Sequence, residues 1–267
     1  MLIDTHCHIA SRQFDNDRET VLQRAREAGV QRIIAPATDL EDCAALSAIC
    51  NQHDDVFMAA GIHPCDAHTV GGDEWLGKLR VFARQPKVAA IGEIGLDYYH
   101  APPDGFDAAS WRAHQGFVLR AQLELAVELG LNVILHNRES WDDLVAQVSP
   151  FNGRLRAVFH CYTGTMEQAR PLLDAGHLVS FTGIVTFKSA AVIQQTVREM
   201  PEEAFMLETD SPYLAPVPHR GKRCEPSYVA DTARAVAELR GVSLDHVAGV
   251  TGRTACDFFR MQRSLPQ

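Results

Sequence analysis

The chain of 267 residues has no Cys-x-x-Cys pair, and its seven cysteines (Cys7, Cys43, Cys50, Cys65, Cys161, Cys224, Cys256) are scattered and odd in number. A disulfide framework or zinc ribbon is therefore not expected, and a reducing compartment is. No apolar run approaches the roughly 18 residues that span a bilayer. The opening stretch holds no basic segment followed by an apolar one, since Asp4 interrupts it almost at once. A soluble, cytoplasmic protein is expected. Positive charge is scarce as well: 25 Lys and Arg face 34 Asp and Glu, for a net charge of -9. That argues against an extended basic face tracking a nucleic-acid backbone, but leaves room for a small anion site whose positive charge comes from metal ions. Internal repeats, low-complexity segments and linker-like shifts in composition are also missing, and no Gly-x-Gly-x-x-Gly follows the first apolar run.

What is present is an alternation. Apolar runs of strand length occur at the N-terminus and at Gln31–Pro36, Val56–Gly61, Val88–Glu93, Leu131–His136, Arg156–His160, His177–Gly183 and Ala204–Asp210. Between them lie amphipathic stretches at helical spacing: Asp17–Gly29, Leu40–Asn51, Asp73–Arg84, Ala108–Gly130, Arg138–Val148, Met166–Gly176 and Ser189–Met200. A proline-rich loop, Ser211–Pro226, precedes two last helical stretches, Tyr228–Leu239 and Leu244–Met261. Strand and helix repeated eight times predict parallel strands joined by right-handed crossovers. The count of eight and a length near 250 residues predict an α/β fold: one (β/α)8 TIM barrel spanning residues 1–267 as a single domain.

In such a barrel the carboxyl ends of the strands carry the chemistry. The first run ends in Thr5-His6-Cys7-His8, and on an extended chain the side chains at i and i+2 share a face, so His6 and His8 can bind one metal ion while Cys7 points away. Glu93, His136, His160 and Asp210 close later runs. Four imidazoles and two carboxylates at strand ends exceed what one tetrahedral ion takes up, and fit two divalent metals bridged by Glu93 and a water or hydroxide. Two carboxylates against two divalent ions leave such a site at about +2, which suits a phosphate or another anionic ester. Metal coordination lowers the pKa of water towards about 7, and Asp210 is placed to orient that nucleophile and take its proton.

Other residues stay open at this level. His63, before Pro64, reads as a substrate contact or as a turn residue. Arg138 offers a planar fork for phosphate oxygens, or a salt bridge on the following helix. Tyr98, Tyr99 and Tyr162 suit stacking on a base or plain packing. Arg220, Lys222 and Arg223 contact phosphate or solvent, and Cys7 and Cys161 are read as packing.

The segments Asp4-Thr5-His6-Cys7-His8, Gly61-Ile62-His63-Pro64, Gly92-Glu93-Ile94-Gly95-Leu96-Asp97-Tyr98-Tyr99, His136-Asn137-Arg138, Phe159-His160-Cys161-Tyr162-Thr163-Gly164 and Leu207-Glu208-Thr209-Asp210-Ser211-Pro212 strongly resemble, in order, the TatD family of metal-dependent hydrolases in the amidohydrolase-like superfamily. The resemblance implies a TIM barrel with a divalent-metal site. It also implies hydrolase activity, in several members on DNA as a 3′ exonuclease or nuclease. By position it implies His6, His8, Glu93 and Asp210 around one ion, and Glu93, His136 and His160 around the other. The chain departs from the family's pattern at Cys224 and at Thr254, before Ala255, where asparagine is common. Neither is a proposed ligand, and Cys224 is read as part of the substrate rim. The expected function is phosphodiester hydrolysis of DNA ends or short single-stranded DNA, with zinc, manganese or magnesium as the metal and no membrane or obligate protein partner. The alternatives are hydrolysis of an amide or carboxylic ester, as in a deacylase, and a non-catalytic metal-stabilised binding protein.

Overall fold

The structure is a computed structural model and describes residues 1–72 and 74–261. In chain order the elements are β1 (Leu2–Asp4), α1 (Arg18–Glu27), β2 (Val30–Pro36), α2 (Leu40–Gln52), β3 (Val56–Ala60), α3 (Glu74–Ala83), β4 (Val88–Asp97), α4 (Ala108–Leu129), β5 (Asn132–Arg138), α5 (Trp141–Val148), β6 (Ala157–Phe159), α6 (Met166–Asp174), β7 (Leu178–Phe181), α7 (Ala191–Glu199), β8 (Phe205–Leu207), α8 (Val229–Arg240) and α9 (Leu244–Phe258). The strands form one eight-stranded sheet in sequence order, with parallel pairing. This is the (β/α)8 topology expected from the alternation. Asp73, expected to open the third helix, lies outside the described residues.

Local chemistry explains most boundaries. The longest helix, α4, starts on a reciprocal capping box, in which the Asp107 carboxylate accepts the Ser110 N–H and the Ser110 hydroxyl accepts the Asp107 N–H. It ends where Gly130 turns left-handed at φ 66°. Thr165 and Gln168 form the same box ahead of α6, and the Ser243 hydroxyl caps α9.

The chain packs as two compact units. The first comprises Met1–Ala35, Asp54–Phe57 and the chain from Cys161 onward, and Ile9, Phe14, Leu22, Ile33, Ile34, Phe181 and Phe258 are among its fully buried side chains. In it β1 and β8 are laced together by main-chain bonds: Thr5 N–H to Leu207 O (3.1 Å), Asp210 N–H to His6 O (2.8 Å) and His8 N–H to Ser211 O (2.8 Å). The first and last strands of the sheet are thus joined.

The second unit comprises Pro36–His53 and Met58–His160, with Leu46, Met58, Ile62, Phe151 and Phe159 buried. Here β4 runs on four residues past Glu93. After a register shift it pairs Ile94–Asp97 with Leu135–Arg138 of β5. The close approach needs glycine at position 95: its φ is +150°, and an added Cβ would stand 2.1 Å from the His136 carbonyl oxygen. Strand β5 likewise extends to Arg138, so this residue ends a strand instead of opening the next helix.

Candidate metal centre

In the first unit, the β1–β8 lacing carries three of the expected donors. His6 Nε2 and His8 Nε2 lie 3.2 Å apart, at 3.7 and 3.5 Å from Asp210 Oδ1. Asp210 is in the left-handed region (φ 58°), which aspartate tolerates better than most residues. Its backbone is pinned by the N–H bond to His6 O and by Tyr213 N–H donating to its carbonyl. Behind them, Asp4 is completely buried. Its carboxylate accepts Thr209 N–H (2.9 Å), the Thr209 hydroxyl (2.6 Å) and, at 3.3 Å, His6 N–H. Burial pushes the Asp4 carboxyl up to about 8, against the pull of these three donors. Glu208 is buried too, and accepts the Ser180 hydroxyl (2.6 Å) and Cys161 N–H (2.7 Å).

In the second unit, Glu93 is 2% exposed. Its Oε1 lies 2.9 Å from His136 Nδ1, 2.9 Å from His160 Nε2 and 3.7 Å from His63 Nε2. His136 is held from its other side, where Nε2 stands 3.1 Å from Asp97 Oδ2. Carboxylates thus face both ring nitrogens, and a cation held at Nδ1 would leave the ring proton on Nε2 with Asp97. Burial works against a charge on His136, but Asp97 and Glu93 outweigh it and raise its pKa. Burial would also raise Asp97, yet the bonds from His136 and His100 hold its carboxyl well below the usual carboxylate range. Gln115 of α4 fixes Asp97 further, its amide accepting Asp97 N–H and donating to Asp97 O, both at 2.9 Å.

The donor chemistry in each unit fits a divalent cation. Two imidazole nitrogens on one tetrahedral zinc at about 2.0–2.1 Å stand roughly 3.3 Å apart, close to the His6–His8 separation. Each unit also supplies one carboxylate among its imidazoles: Asp210 in the first and Glu93 in the second.

The remaining expectations sort clearly. His63 takes the turn role foreseen for it, its Nδ1 accepting Cys65 N–H (3.1 Å) at the start of the 3₁₀ turn Pro64–Thr69, and its ring lies 4.5 Å from that of His136. Arg138 is exposed, and its guanidinium lies 3.8 Å over the Tyr99 ring instead of pairing with an acid of α5. Tyr98 donates to Asp143 (2.8 Å), and Tyr162 is buried, donating to Thr165 O. Cys7 is buried, with the Ser211 hydroxyl 3.0 Å from its sulfur. Arg223 pairs with Asp17 inside the first unit. Cys224 is wholly buried, so it lines no open rim. Sequence reading missed Asp97 and Asp4 as supporting groups. The alternation Glu93-Gly95-Asp97 carries the signal for the first once the strand is run to its true end.

Comparison with known proteins agrees with this layout. The sequence profile of the family described as TatD related DNase matches residues 3–260. The metal-dependent hydrolase YabD of Bacillus subtilis (strain 168) is 36% identical over 264 residues, covering 98% of this chain and 100% of that protein. The 3'-5' ssDNA/RNA exonuclease TatD of Cronobacter sakazakii is 34% identical over 265 residues, 97% of each. The crystal structure of YjjV, a TatD homologue of Escherichia coli K12, superposes with a TM-score of 0.88 at 31% identity, covering 98% of each chain.

Proposed function

Because the chain belongs to the TatD family of metal-dependent hydrolases, we propose that it is a phosphodiesterase removing nucleotides from DNA ends or short single strands. That it is a metal-dependent hydrolase follows from family and donor chemistry together. The observation that carries the finer reading is Glu93: one buried carboxylate oxygen with three imidazoles turned towards it. The substrate class is supported by the activity named for the Cronobacter relative.

In this reading His6, His8 and Asp210 would hold a cation in the first unit, and Glu93, His136 and His160 one in the second. Divalent ions bound there polarise the phosphoryl group and make water nucleophilic near neutral pH. The chain's own residues do the rest. Asp210 orients the attacking water and takes its proton at a carboxylate oxygen. His63 accepts the Cys65 N–H at Nδ1, so the neutral ring carries its proton on Nε2 and donates to a phosphate oxygen. The exposed Arg138–Tyr99 pair offers a fork for a neighbouring phosphate and a face for a base. Residues 1–267 act as one hydrolase domain, and seven scattered cysteines with no Cys-x-x-Cys pair suit the cytoplasm.

The test is a substrate panel of 3′- and 5′-labelled single-stranded DNA and an acyl ester, on wild type and Glu93→Ala, with metal content measured on the same samples. Loss of label from the 3′ end by wild type alone is the expected result. Ester hydrolysis without DNA hydrolysis overturns the substrate class, and equal activity of the two proteins overturns the site.

A further inference from the structure

The second unit contains another cluster of donor side chains, of which Cys65 and His100 have no part in the hydrolytic site. Cys65 Sγ, His100 Nδ1 and an Asp97 carboxylate oxygen all lie within 4.8 Å of one another. Cys65 Sγ is 3.5 Å from His100 Nδ1, and His100 Nδ1 is 2.9 Å from Asp97 Oδ2. The same Nδ1 thus faces both sulfur and carboxylate, and a thiolate, a neutral ring nitrogen and a carboxylate together turn three lone pairs towards one point. A cation in the middle satisfies all three atoms at once. The spacing suits it: with Zn–S of about 2.3 Å and Zn–N of about 2.0 Å, a tetrahedral ion sets S and N roughly 3.5 Å apart.

The three donors are also held in place beforehand. Asp97 Oδ1 accepts the backbone N–H groups of Tyr99 (3.0 Å) and His100 (2.9 Å), folding the end of β4 into a turn that brings the His100 ring back to the carboxylate. Gln115 grips the Asp97 backbone from α4. Cys65 is fixed by its N–H bond to His63 Nδ1 and by His68 Nδ1, 3.1 Å from its carbonyl. The His100 side chain is 53% exposed, which gives an ion a path in from solvent.

We propose that Cys65, Asp97 and His100 form a separate site for one thiophilic divalent cation of the zinc class, with a fourth position left for water. A sulfur, a nitrogen and a carboxylate oxygen select zinc-like ions over magnesium or manganese, which prefer oxygen donors. The site therefore differs in metal preference from the centre built of imidazoles and carboxylates alone. Its Asp97 Oδ2 also faces His136 Nε2, so the two share one carboxylate.

The proposal rests on this cluster and not on the hydrolase reading. The test titrates the full-length chain, stripped of metal, with zinc and with cobalt(II). Wild type, Cys65→Ser and His100→Ala are compared, each first shown to be folded by circular dichroism. The expected result is one more equivalent of zinc bound by wild type than by Cys65→Ser. Cobalt-loaded wild type shows a thiolate-to-cobalt charge-transfer band in the near ultraviolet, absent from Cys65→Ser and lost or strongly reduced in His100→Ala. Equal stoichiometry in wild type and Cys65→Ser, or no thiolate band in cobalt-saturated wild type, overturns the proposal. A band that survives in His100→Ala at full strength removes histidine from the site and overturns it as stated. Glu93→Ala, run in parallel, loses metal from the other centre only, so the two readings fail independently.

Discussion

Each compact unit keeps a fully buried aspartate behind its metal donors, and the two are tuned in opposite directions. Asp4 is surrounded by main-chain N–H groups and one hydroxyl, and burial pushes it up to about 8. Asp97 is surrounded by two imidazoles and two N–H groups, which keep it ionised far below the usual range. One residue type therefore does two jobs. Asp4 ties β1 to the segment after β8 and fixes where His6 and Asp210 stand, whereas Asp97 supplies negative charge to the ring of His136. The difference teaches that burial alone does not tell a structural carboxylate from an electrostatic one; the partners do.

The largest expected effect tests whether the second unit's carboxylate is central. Glu93→Ala should cut hydrolysis on the order of 10³-fold or more, with metal lost on dialysis, both measured on one preparation. Next comes the contrast itself. Asp97→Asn should weaken metal binding by roughly 10–100-fold, because the amide no longer fixes the His136 tautomer. Asp4→Asn, whose amide can still accept two N–H bonds and meet the Thr209 hydroxyl, should change affinity far less. Competition with a chelator reads both, and equal losses would erase the distinction. Smaller again is Thr209→Val, which removes the hydroxyl held 2.6 Å from Asp4. It should lower unfolding stability by about 1–3 kcal/mol, seen as a reduced urea midpoint.

The smallest effect lies on the first unit's surface, where Asp17 pairs with Arg223 and Arg24. The Arg223 hydrogen bond, set against a small cost of burial, lowers the Asp17 pKa. The folded value is below the unfolded one of about 4, so the stabilisation is present above that pH and disappears as pH falls through the folded value. Asp17→Asn should then lower the urea midpoint at pH about 6 and converge with wild type once pH falls below the folded value.

Much of this was legible in the sequence for physical reasons. Strand and helix periods differ, so the eightfold alternation shows without any tertiary knowledge. His6 and His8 come within 3.2 Å of each other as their i, i+2 spacing suggests, although β1 itself ends at Asp4. What escaped depends on contacts distant in the chain. The extension of β4 to Asp97 follows from its pairing with Leu135–Arg138, and no local propensity reports that. Arg138 reads as the start of a helix until Asp97 is seen to be its strand partner. Asp4 looks like one more acid near the N-terminus until Thr209, 205 positions away, donates to it. Cys65 drew no attention as a lone thiol, since His100 and Asp97 reach it only through a turn.

The lacing of β1 to β8 has a consequence for how the protein is made. Residues 4–8 leave the ribosome about two hundred positions before their partners at 207–211. Until then His6 and His8 have no Asp210 beside them, and the nascent chain carries only part of its donor set. The second unit, whose donors all lie between positions 63 and 160, can assemble well before that. Synthesis thus completes the second unit's donors before those of the first, so the two halves of the donor set mature at different times.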